Sequence, residues 1–328
     1  MILITGGAGF IGSNLVAALE ERGAGELVVC DRLGQDEKWR NLGKREIAAL
    51  IPPEALASFL DDRGHALDTI FHLGASSSTT ETDADLIIAS NFTLSQFLWD
   101  WCAAHGTRFI YASSAATYGD GAAGFDDDAS PAGLARLKPL NAYGWSKHLF
   151  DRRVARLVAR AAPKPPQWAG LKFFNVYGPN EYHKGSQKSV VAQIFPRAQA
   201  GNACTLFRSH RNDVSDGGQT RDFVYVRDCV DEMLWLYDHS EVSGLFNAGT
   251  GQARSFADLA AAVYRALGKT PRIDYIDTPV AIRDKYQYFT EARMERIRTA
   301  GYAKPPTSLE DGVRDYVQTY LAAADPYR

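Results

Sequence analysis

Residues 2–12 read ILITGGAGFIG, an apolar run that leads into glycines spaced as G-x-x-G-x-x-G. The apolar run is typical of a buried parallel strand, and Leu15, Val16 and Leu19 have the spacing of a helix that follows it. In this strand–loop–helix order, glycines let the backbone turn tightly and approach a pyrophosphate at the helix N-terminus. The sequence therefore predicts a dinucleotide-binding unit. Its predicted cofactor contacts are Gly6, Gly9, Phe10, Ile11 and Gly12.

A second predicted strand, Leu27–Cys30, ends at an acidic residue, Asp31. An acidic side chain about 20 positions beyond such a glycine motif is the usual partner of the adenosine ribose. Asp31 alone favours NAD, whereas Asp31 with Arg32 and Lys38 favours NADP or tolerance of both, because a cation beside the ribose can bind a 2′-phosphate. The two cations are equally compatible with solvent-exposed loop charges, so these residues leave the cofactor open.

Apolar segments and helical patterns alternate along the rest of the chain. The remaining predicted strands lie within 68–75, 108–112, 170–174, 221–226 and 246–251, and the remaining predicted helices lie within 83–104, 255–267 and 311–321. This alternation predicts an α/β fold, a Rossmann-type doubly wound parallel sheet with a smaller interleaved α/β substrate-binding domain.

The predicted division of the chain follows from these segments. A cofactor-binding domain spans 1–176, with 222–268 returning to it, and a substrate-binding lobe is drawn from 177–221 and 269–328. Residues 120–137 are rich in Gly, Asp and Ala, which predicts a mobile surface excursion.

The segments that follow the predicted strands carry small and polar residues. In parallel sheets, ligands bind at the carboxyl ends of the strands, so these residues are predicted to line the cofactor. Asn91, on the predicted helix over 83–104, is expected to reach one of these strand-end loops. The predicted lining residues of the segment after the strand within 68–75 are Leu73, Gly74, Ala75, Ser76 and Ser77.

Composition excludes several classes of function. The chain has 328 residues, of which 45% are hydrophobic and 23% charged, and a net charge of −3 with no long basic run, so we expect no nucleic-acid partner. Its four cysteines lie far apart without metal-ligand spacing, which favours reduced thiols and no metal site. No apolar run reaches the length of a membrane span, so we expect a cytoplasmic protein without a membrane partner.

Tyr143 and Lys147 are spaced i, i+4 at the start of a predicted helix, which puts a phenol and an ammonium on one helical face. A nearby cation favours phenolate, so Lys147 is predicted to lower the pKa of Tyr143. Ser114, at a predicted strand end, could share the substrate proton, and the three residues together would form an acid–base device for an alcohol/ketone pair. The alternative is an ordinary pair on a helix surface, since Tyr-x-x-x-Lys often occurs by chance.

Six features together resemble the extended short-chain dehydrogenase/reductase family of nucleotide-sugar epimerases and dehydratases. They are TGGAGFIG (5–12), Asp31, Ser113 with Ser114, Tyr143 with Lys147, NVYGP (175–179) and RDFVYV (221–226). The resemblance covers nearly the whole chain. It implies a Rossmann fold, a bound nicotinamide cofactor and a nucleotide-sugar substrate.

A narrower resemblance is to the branch of that family that interconverts ADP-D-glycero- and ADP-L-glycero-D-manno-heptose at C6. The matching stretches are SSSTTE (76–81), YASSAATYG (111–119), FFNVYGP (173–179), HKGS (183–186) and YQYFT (286–290). HKGS is the most discriminating of them, because generic sugar epimerases do not carry it. This resemblance implies tightly bound NADP, an ADP-heptose substrate used for the inner core of lipopolysaccharide, and a homo-oligomer, a pentamer by family resemblance.

The resemblance also implies roles for individual residues. Tyr143 and Lys184 would be the two acid/base groups, Ser114 would bind the reacting oxygen, and Lys147 would hold the nicotinamide ribose. Lys147, Val176 and Lys184 join the cofactor contacts named above. The implied substrate contacts are Ser114, Asn175, Ser186, Gln193, Phe207, Arg208, Ser209, His210, Arg221 and Tyr286.

Two of these roles have plain structural alternatives. Lys184 could be a solvated loop lysine, and Arg221, the natural clamp for an ADP diphosphate, could be part of a structural salt bridge. The chain also departs from the family's pattern in three places. Leu73 replaces a usual glutamate, Gln193 replaces a usual histidine, and the segment 211–220 is longer than the norm.

Other functions are compatible with the same fold. One is another NAD(P)-dependent nucleotide-sugar epimerase, dehydratase or reductase, although a dehydratase commonly needs an acidic residue where Ala115 and Ala116 stand. The other is a non-catalytic NADP-binding sensor, which the retained Tyr143 and Lys147 disfavour.

Overall fold

The computed structural model of the chain describes residues 1–79, 81–283 and 286–328. Thr80, within the SSSTTE stretch, and residues 284–285, within the predicted second lobe, lie outside the described residues. In the part of the chain that is described, no helix combines the length and apolar character needed to cross a membrane.

Strands and helices alternate along the chain. The strands are Ile2–Thr5 (β1), Leu27–Cys30 (β2), Ala49–Ile51 (β3), Thr69–His72 (β4), Arg108–Ser114 (β5), Trp168–Phe173 (β6), Asn175–Tyr177 (β7), Cys204–Phe207 (β8), Thr220–Tyr225 (β9), Gly244–Ala248 (β10), Ala253–Ser255 (β11) and Ile273–Ile276 (β12). The α-helices are Phe10–Glu21 (α1), Leu56–Arg63 (α2), Ala84–Ile88 (α3), Leu94–His105 (α4), Pro131–Ala135 (α5), Ala142–Ala159 (α6), Val190–Gln199 (α7), Val226–Asp238 (α8), Phe256–Ala266 (α9), Val280–Arg283 (α10), Glu295–Thr299 (α11) and Leu309–Asp315 (α12).

The main sheet is parallel throughout. Its seven strands, counted within the described residues, lie in the order β10-β6-β5-β4-β1-β2-β3. Strands β1, β2 and β4 are buried on both faces, which explains their continuous apolar character. The predicted doubly wound Rossmann sheet is confirmed. Because β1 pairs with β2 on one side and β4 on the other, the winding reverses there, and such a switch point opens a ligand crevice at the strand carboxyl ends.

A smaller unit packs beside this sheet. Strands β11, β9 and β7 form one small sheet, and β12 pairs with β8 in another. Helices α7, α9 and α12 share a separate hydrophobic cluster with residues such as Phe195, Val263 and Val313. The predicted second α/β unit is therefore present, interleaved with the first along the chain.

Residues 120–137 differ from the prediction of a mobile surface excursion. The segment contains α5, and its side chains Phe125 and Leu134 are buried in two different hydrophobic clusters. The Asp127 carboxylate accepts a hydrogen bond from the backbone N–H of Asn247, at 2.9 Å, in β10. The Gly and Asp content is typical of turns, but the apolar residues Phe125 and Leu134 anchor the segment in the hydrophobic core.

Candidate active site

A cavity of about 540 Å³ lies at the carboxyl ends of β1, β4 and β5. It brings together most of the residues predicted to contact cofactor or to act on substrate. Those in its lining are Gly6, Gly9, Phe10, Ile11, Gly12, Asp31, Lys38, Leu73, Gly74, Ala75, Ser77, Ser114, Tyr143, Lys147, Val176 and Lys184. The sequence prediction did not include Ala112, Ser113, Phe173, Phe174, His183 or Gln187, which also line it.

The glycine-rich loop is shaped by close backbone contacts. Gly6 has a φ of +70°, and a Cβ there would lie 2.6 Å from the backbone nitrogen of Gly74. A Cβ on Gly12 would lie 2.1 Å from the carbonyl oxygen of Gly6, so only glycine lets α1 start against the loop. No side chain caps the N-terminus of α1, and its first turn holds no acidic residue, within the described structure. This positive helix end fits the phosphates of a dinucleotide.

Asp31 and Lys38 form an ion pair at the adenosine end of the cavity. One Asp31 oxygen accepts the N–H of Ala8 at 2.9 Å, and the other accepts Lys38 Nζ at 2.7 Å. Arg32, predicted as a second phosphate contact, lies outside the cavity lining, and its exposed guanidinium pairs with Glu54. Lys38 is therefore the cation that lies beside Asp31, the acid predicted to bind the ribose.

Tyr143 and Lys147 lie in the first turns of α6. Asn141 caps this helix, and its side chain accepts the N–H of Gly144 at 2.8 Å. Lys147 Nζ donates to the carbonyl oxygen of Ala112 at 2.8 Å, which fastens α6 to the end of β5. Burial lowers the pKa of Lys147 to about 8, and the charge of Asp151 opposes this shift.

The structure contradicts the prediction that Lys147 lowers the pKa of Tyr143. Burial raises the pKa of the Tyr143 phenol, and a hydrogen bond with the Ser114 side chain lowers it only in part. The prediction was wrong because sequence spacing locates the phenol and the ammonium on one face but does not show how deeply both are buried.

Asn91 and Ser76, predicted as cofactor contacts, support the cavity wall without lining it. Asn91 is buried, and its amide both accepts the N–H of Ser76 at 2.8 Å and donates to the carbonyl of Ser76 at 2.9 Å. The same amide donates to Ser146 Oγ at 3.0 Å, which ties the loop after β4 to α6.

Lys184 lies on a 3₁₀ segment, Tyr182–Gln187, that follows β7 and reaches over the cavity. Its Nζ is 5.4 Å from the centre of the Phe10 ring in the glycine-rich loop. Burial lowers the pKa of Lys184, and the charge of Glu181 raises it. Gly185, with a φ of +55°, lets the chain turn sharply directly after the lysine.

A second cavity of about 460 Å³ lies between α7, β8 and the segment that carries Tyr286. Three predicted substrate residues, Gln193, Phe207 and Tyr286, line it. Arg221 is 8% exposed, and its guanidinium lies 5.5 Å from the Tyr286 ring and donates to the carbonyl of Gln287 at 2.5 Å. Arg221 has no carboxylate partner within 4.0 Å in the described part of the chain, so its positive charge is available to an anion.

Arg221 and the remaining predicted substrate residues lie outside the lining of both cavities. Ser209 Oγ and the backbone N–H of His210 contact Tyr288 Oη at 3.4 and 2.9 Å. Arg208 is exposed, at 3.8 Å from Asp216 and 3.7 Å from Asp277. Asn175 and Ser186 are exposed, and the carbonyl of Ser186 accepts Gln193 Nε2 at 3.3 Å.

Comparison with known proteins agrees with this geometry. The model of the NAD dependent epimerase/dehydratase family matches residues 2–249. A curated relative from Nitratidesulfovibrio vulgaris (strain DP4), ADP-L-glycero-D-manno-heptose-6-epimerase, is 49% identical, and the match covers 100% of both chains.

Two solved structures share the architecture. Helicobacter pylori ADP-L-glycero-D-manno-heptose-6-epimerase is 29% identical with a TM-score of 0.80, over 98% of this chain and 96% of that one. MoeE5 in complex with UDP-glucose and NAD is 25% identical with a TM-score of 0.71, over 95% of each chain.

The parallel sheet and the glycine-rich loop at the carboxyl ends of its strands define a nicotinamide-dependent enzyme of the epimerase class. The chain belongs to the NAD dependent epimerase/dehydratase family. The resemblance to the ADP-heptose 6-epimerases, the prediction of a nucleotide-sugar epimerase and that of a nicotinamide cofactor are confirmed.

Proposed function

We propose that the chain interconverts ADP-D-glycero- and ADP-L-glycero-D-manno-heptose by inverting C6. The observation that carries the proposal is that Tyr143 and Lys184, from separate elements, line one cavity with the dinucleotide loop. A single acid/base group would suit a simple dehydrogenase, whereas two suit a substrate that presents both faces of one carbon. The name of the 49% identical relative supports the same reaction.

We infer that the cofactor is NADP. The positive end of α1 would hold its diphosphate, Asp31 and Lys38 its adenosine ribose phosphate, and Lys147 its nicotinamide ribose. The Asp31 carboxylate is already paired with Lys38 at 2.7 Å, which reduces its repulsion of a 2′-phosphate and leaves the lysine beside it. When bound, the cofactor supplies a reversible hydride acceptor.

The acid–base work falls to this chain's own side chains. No carbonyl neighbours C6, so its hydrogen is not acidic, and inversion requires transient oxidation to a ketone. Ser114 would bind the C6 oxygen while Tyr143 exchanges its proton. After the ketone turns its other face, Lys184 would exchange the proton of the same oxygen from the opposite side. Lys184 is half-buried, and the lowering of its pKa brings the amine closer to the pH at which it can both give and take a proton.

Residues 177–221 and 269–328 would form the substrate-binding lobe. Arg221 would clamp the ADP diphosphate, supported by its burial and by its lack of a carboxylate partner among the described residues. Gln193, Phe207 and Tyr286 would line the nucleotide's surroundings. Asn175, Ser186, Arg208, Ser209 and His210 would add contacts to the substrate from outside the lining of both cavities.

We further propose that the reaction belongs to synthesis of the inner-core heptose of lipopolysaccharide, that it takes place in the cytoplasm, and that the enzyme is a homo-oligomer, a pentamer by family resemblance.

The proposal is tested by incubating the purified protein with ADP-D-glycero-D-manno-heptose and following the C6 configuration by NMR. We expect conversion without added reductant, and a fall in kcat of about 100-fold or more for both Tyr143→Phe and Lys184→Met. Tyr237→Phe, at the amino ends of the sheet strands, serves as the control and should keep its activity. Absence of conversion by cofactor-loaded protein would contradict the proposal.

A further inference from the structure

The loop that carries Lys184 is closed by one buried carboxylate. We define the lysine loop as residues 181–189, between β7 and α7. Glu181 Oε1 accepts Ser189 Oγ at 2.6 Å, and Oε2 accepts the backbone N–H of Ser189, so one side chain joins the two ends of the loop. The N–H of Gly178 lies 3.5 Å from the same carboxylate.

The same carboxylate connects the lysine loop to the C-terminal part of the chain. Tyr316 Oη, in the π-helical turn Tyr316–Leu321, donates to Glu181 Oε1 at 3.0 Å. Tyr316 is fully buried in the second hydrophobic cluster. The loop therefore has a rigid support at its base, while Lys184 and Gly185 lie at its outer part.

Glu181 itself is fully buried. Among the described residues, no Lys, Arg or His nitrogen lies within 4.0 Å of its carboxylate, and its contacts are the neutral donors named above. Burial raises the pKa of the Glu181 carboxyl, and the hydrogen bonds from Ser189 and Tyr316 and the charge of Lys184, one helical turn further along the chain, lower it. A fully buried carboxylate without an ion-pair partner is costly, which calls for a reason beyond packing.

We propose that Glu181 is the positioning residue for Lys184: its carboxylate closes the lysine loop onto Tyr316, and its carbonyl oxygen accepts the backbone N–H of Lys184 at 3.1 Å. The proposal rests on the proposed catalytic role of Lys184. Glu181 does not line the cavity, so it acts through the lysine and not on substrate.

The charge of Glu181 affects the pKa of Lys184 in a definite direction. Burial lowers the pKa of Lys184, and Glu181 raises it, so removal of the Glu181 charge should lower the pKa of Lys184 further. The other titratable groups in the lining of the same cavity are His183, on the lysine loop itself, and Lys38, Asp31, Tyr143 and Lys147, on other elements. They remain in every variant below, so a shift specific to Glu181 variants reports this one charge.

The test compares Glu181→Gln with Ser189→Ala. Glutamine keeps the size and one acceptor oxygen but removes the charge, whereas alanine at 189 removes a loop-closing hydroxyl and keeps the charge. ¹³Cε-lysine NMR gives the pKa of Lys184 directly, with the signal assigned by its absence in Lys184→Met. The pH profile of kcat gives a second measure, because the limb of the profile that is due to Lys184 should be absent in Lys184→Met. Glu232→Gln, a buried carboxyl outside the cavity lining, is the matched control.

For Glu181→Gln we expect the pKa of Lys184 and the corresponding limb of kcat to move to lower pH by about one unit. We expect kcat at neutral pH to fall about tenfold and the Kd for NADP to stay within about twofold. Ser189→Ala should lower kcat without moving the limb, and Glu232→Gln should change neither.

An unchanged Lys184 titration in folded Glu181→Gln would overturn the proposal, whatever happens to kcat. If the wild-type protein does not epimerise the substrate, the proposed function fails, but the NMR titration still decides whether Glu181 controls Lys184. The two failures are therefore distinguishable.

Discussion

At the residue scale, burial governs the titratable side chains of the candidate active site. It raises the pKa of Tyr143 and lowers that of Lys147 and Lys184. Sequence spacing predicted that Tyr143 and Lys147 share a helical face, and HKGS pointed to Lys184. The sequence could not predict how deeply these side chains are buried, because their burial depends on β5, the glycine-rich loop and the lysine loop. These segments meet only in the folded chain.

Lys147 should make cofactor affinity depend on pH. Its pKa of about 8 leaves the amine mostly charged at pH 7 and mostly neutral above pH 8, so a lysine that binds the cofactor loses its charge as pH rises. We expect the Kd for NADP, measured by fluorescence titration, to rise several-fold between pH 7 and about 9.5. The dependence should be absent in Lys147→Met, and an equally steep dependence in that variant would refute the assignment.

Lys38, rather than Arg32, should determine the preference for NADP. Lys38 is paired with Asp31, the acid proposed to bind the ribose, while Arg32 pairs with Glu54 outside the cavity lining. We expect Lys38→Gln to weaken NADP binding relative to NAD by roughly 10- to 100-fold, as loss of a charge-assisted hydrogen bond does. Arg32→Gln is the matched control. A larger loss of preference in Arg32→Gln would reverse the assignment.

At the element scale, the predicted strands with continuous apolar runs were found in place. Ile2–Thr5 and Leu27–Cys30 are examples, because both faces of a central parallel strand are buried. The short edge strand Ala49–Ile51 and the pair Cys204–Phe207 with Ile273–Ile276 were missed. Each of these strands has only three or four residues, and partly exposed positions interrupt its apolar pattern. Only pairing with a neighbouring strand in the folded chain distinguishes them from loops.

The approach of α1 to the glycine-rich loop should not tolerate a methyl group. In Gly12→Ala the new Cβ would lie 2.1 Å from the Gly6 carbonyl oxygen, and the helix would have to move away. We expect a loss of roughly 1–3 kcal/mol in the free energy of unfolding and loss of co-purified cofactor. Gly43→Ala, whose Cβ would be 3.4 Å from its nearest neighbour, should leave both unchanged. Retained cofactor in Gly12→Ala would contradict this account.

A buried ion pair joins α6 to β6 beneath the cavity. Asp151 and Lys172 are 3.1 Å apart with both side chains fully buried. Lys172→Met would leave the Asp151 carboxylate without its cation, and we expect a loss of about 3–5 kcal/mol in urea unfolding. The exposed pair of Arg22 with Asp238 provides the contrast, since Arg22→Met should cost less than about 1 kcal/mol. Similar losses in the two variants would argue against a special role for the buried pair.

At the scale of the whole molecule, the two units meet around one cavity that neither supplies alone. The sheet contributes the glycine-rich loop and Tyr143, and the segment after β7 contributes Lys184. The family resemblance predicted this combination, whereas periodicity alone predicted only the sheet. Most of the predicted side chains reach the cavity, but Arg32 and Asn91 occupy suitable sequence positions and form other contacts, which sequence alone does not reveal.

The central claim is that C6 is inverted by oxidation and re-reduction within one bound state, with Tyr143 and Lys184 exchanging only the oxygen's proton. The most direct test is epimerisation of ADP-D-glycero-D-manno-heptose in D₂O, without added reductant, followed by NMR and mass spectrometry. The account predicts conversion to the C6 epimer with no deuterium at C6, because the hydrogen removed from C6 would return to it from the bound cofactor. Deuterium at C6, or no conversion by cofactor-loaded protein, would contradict it.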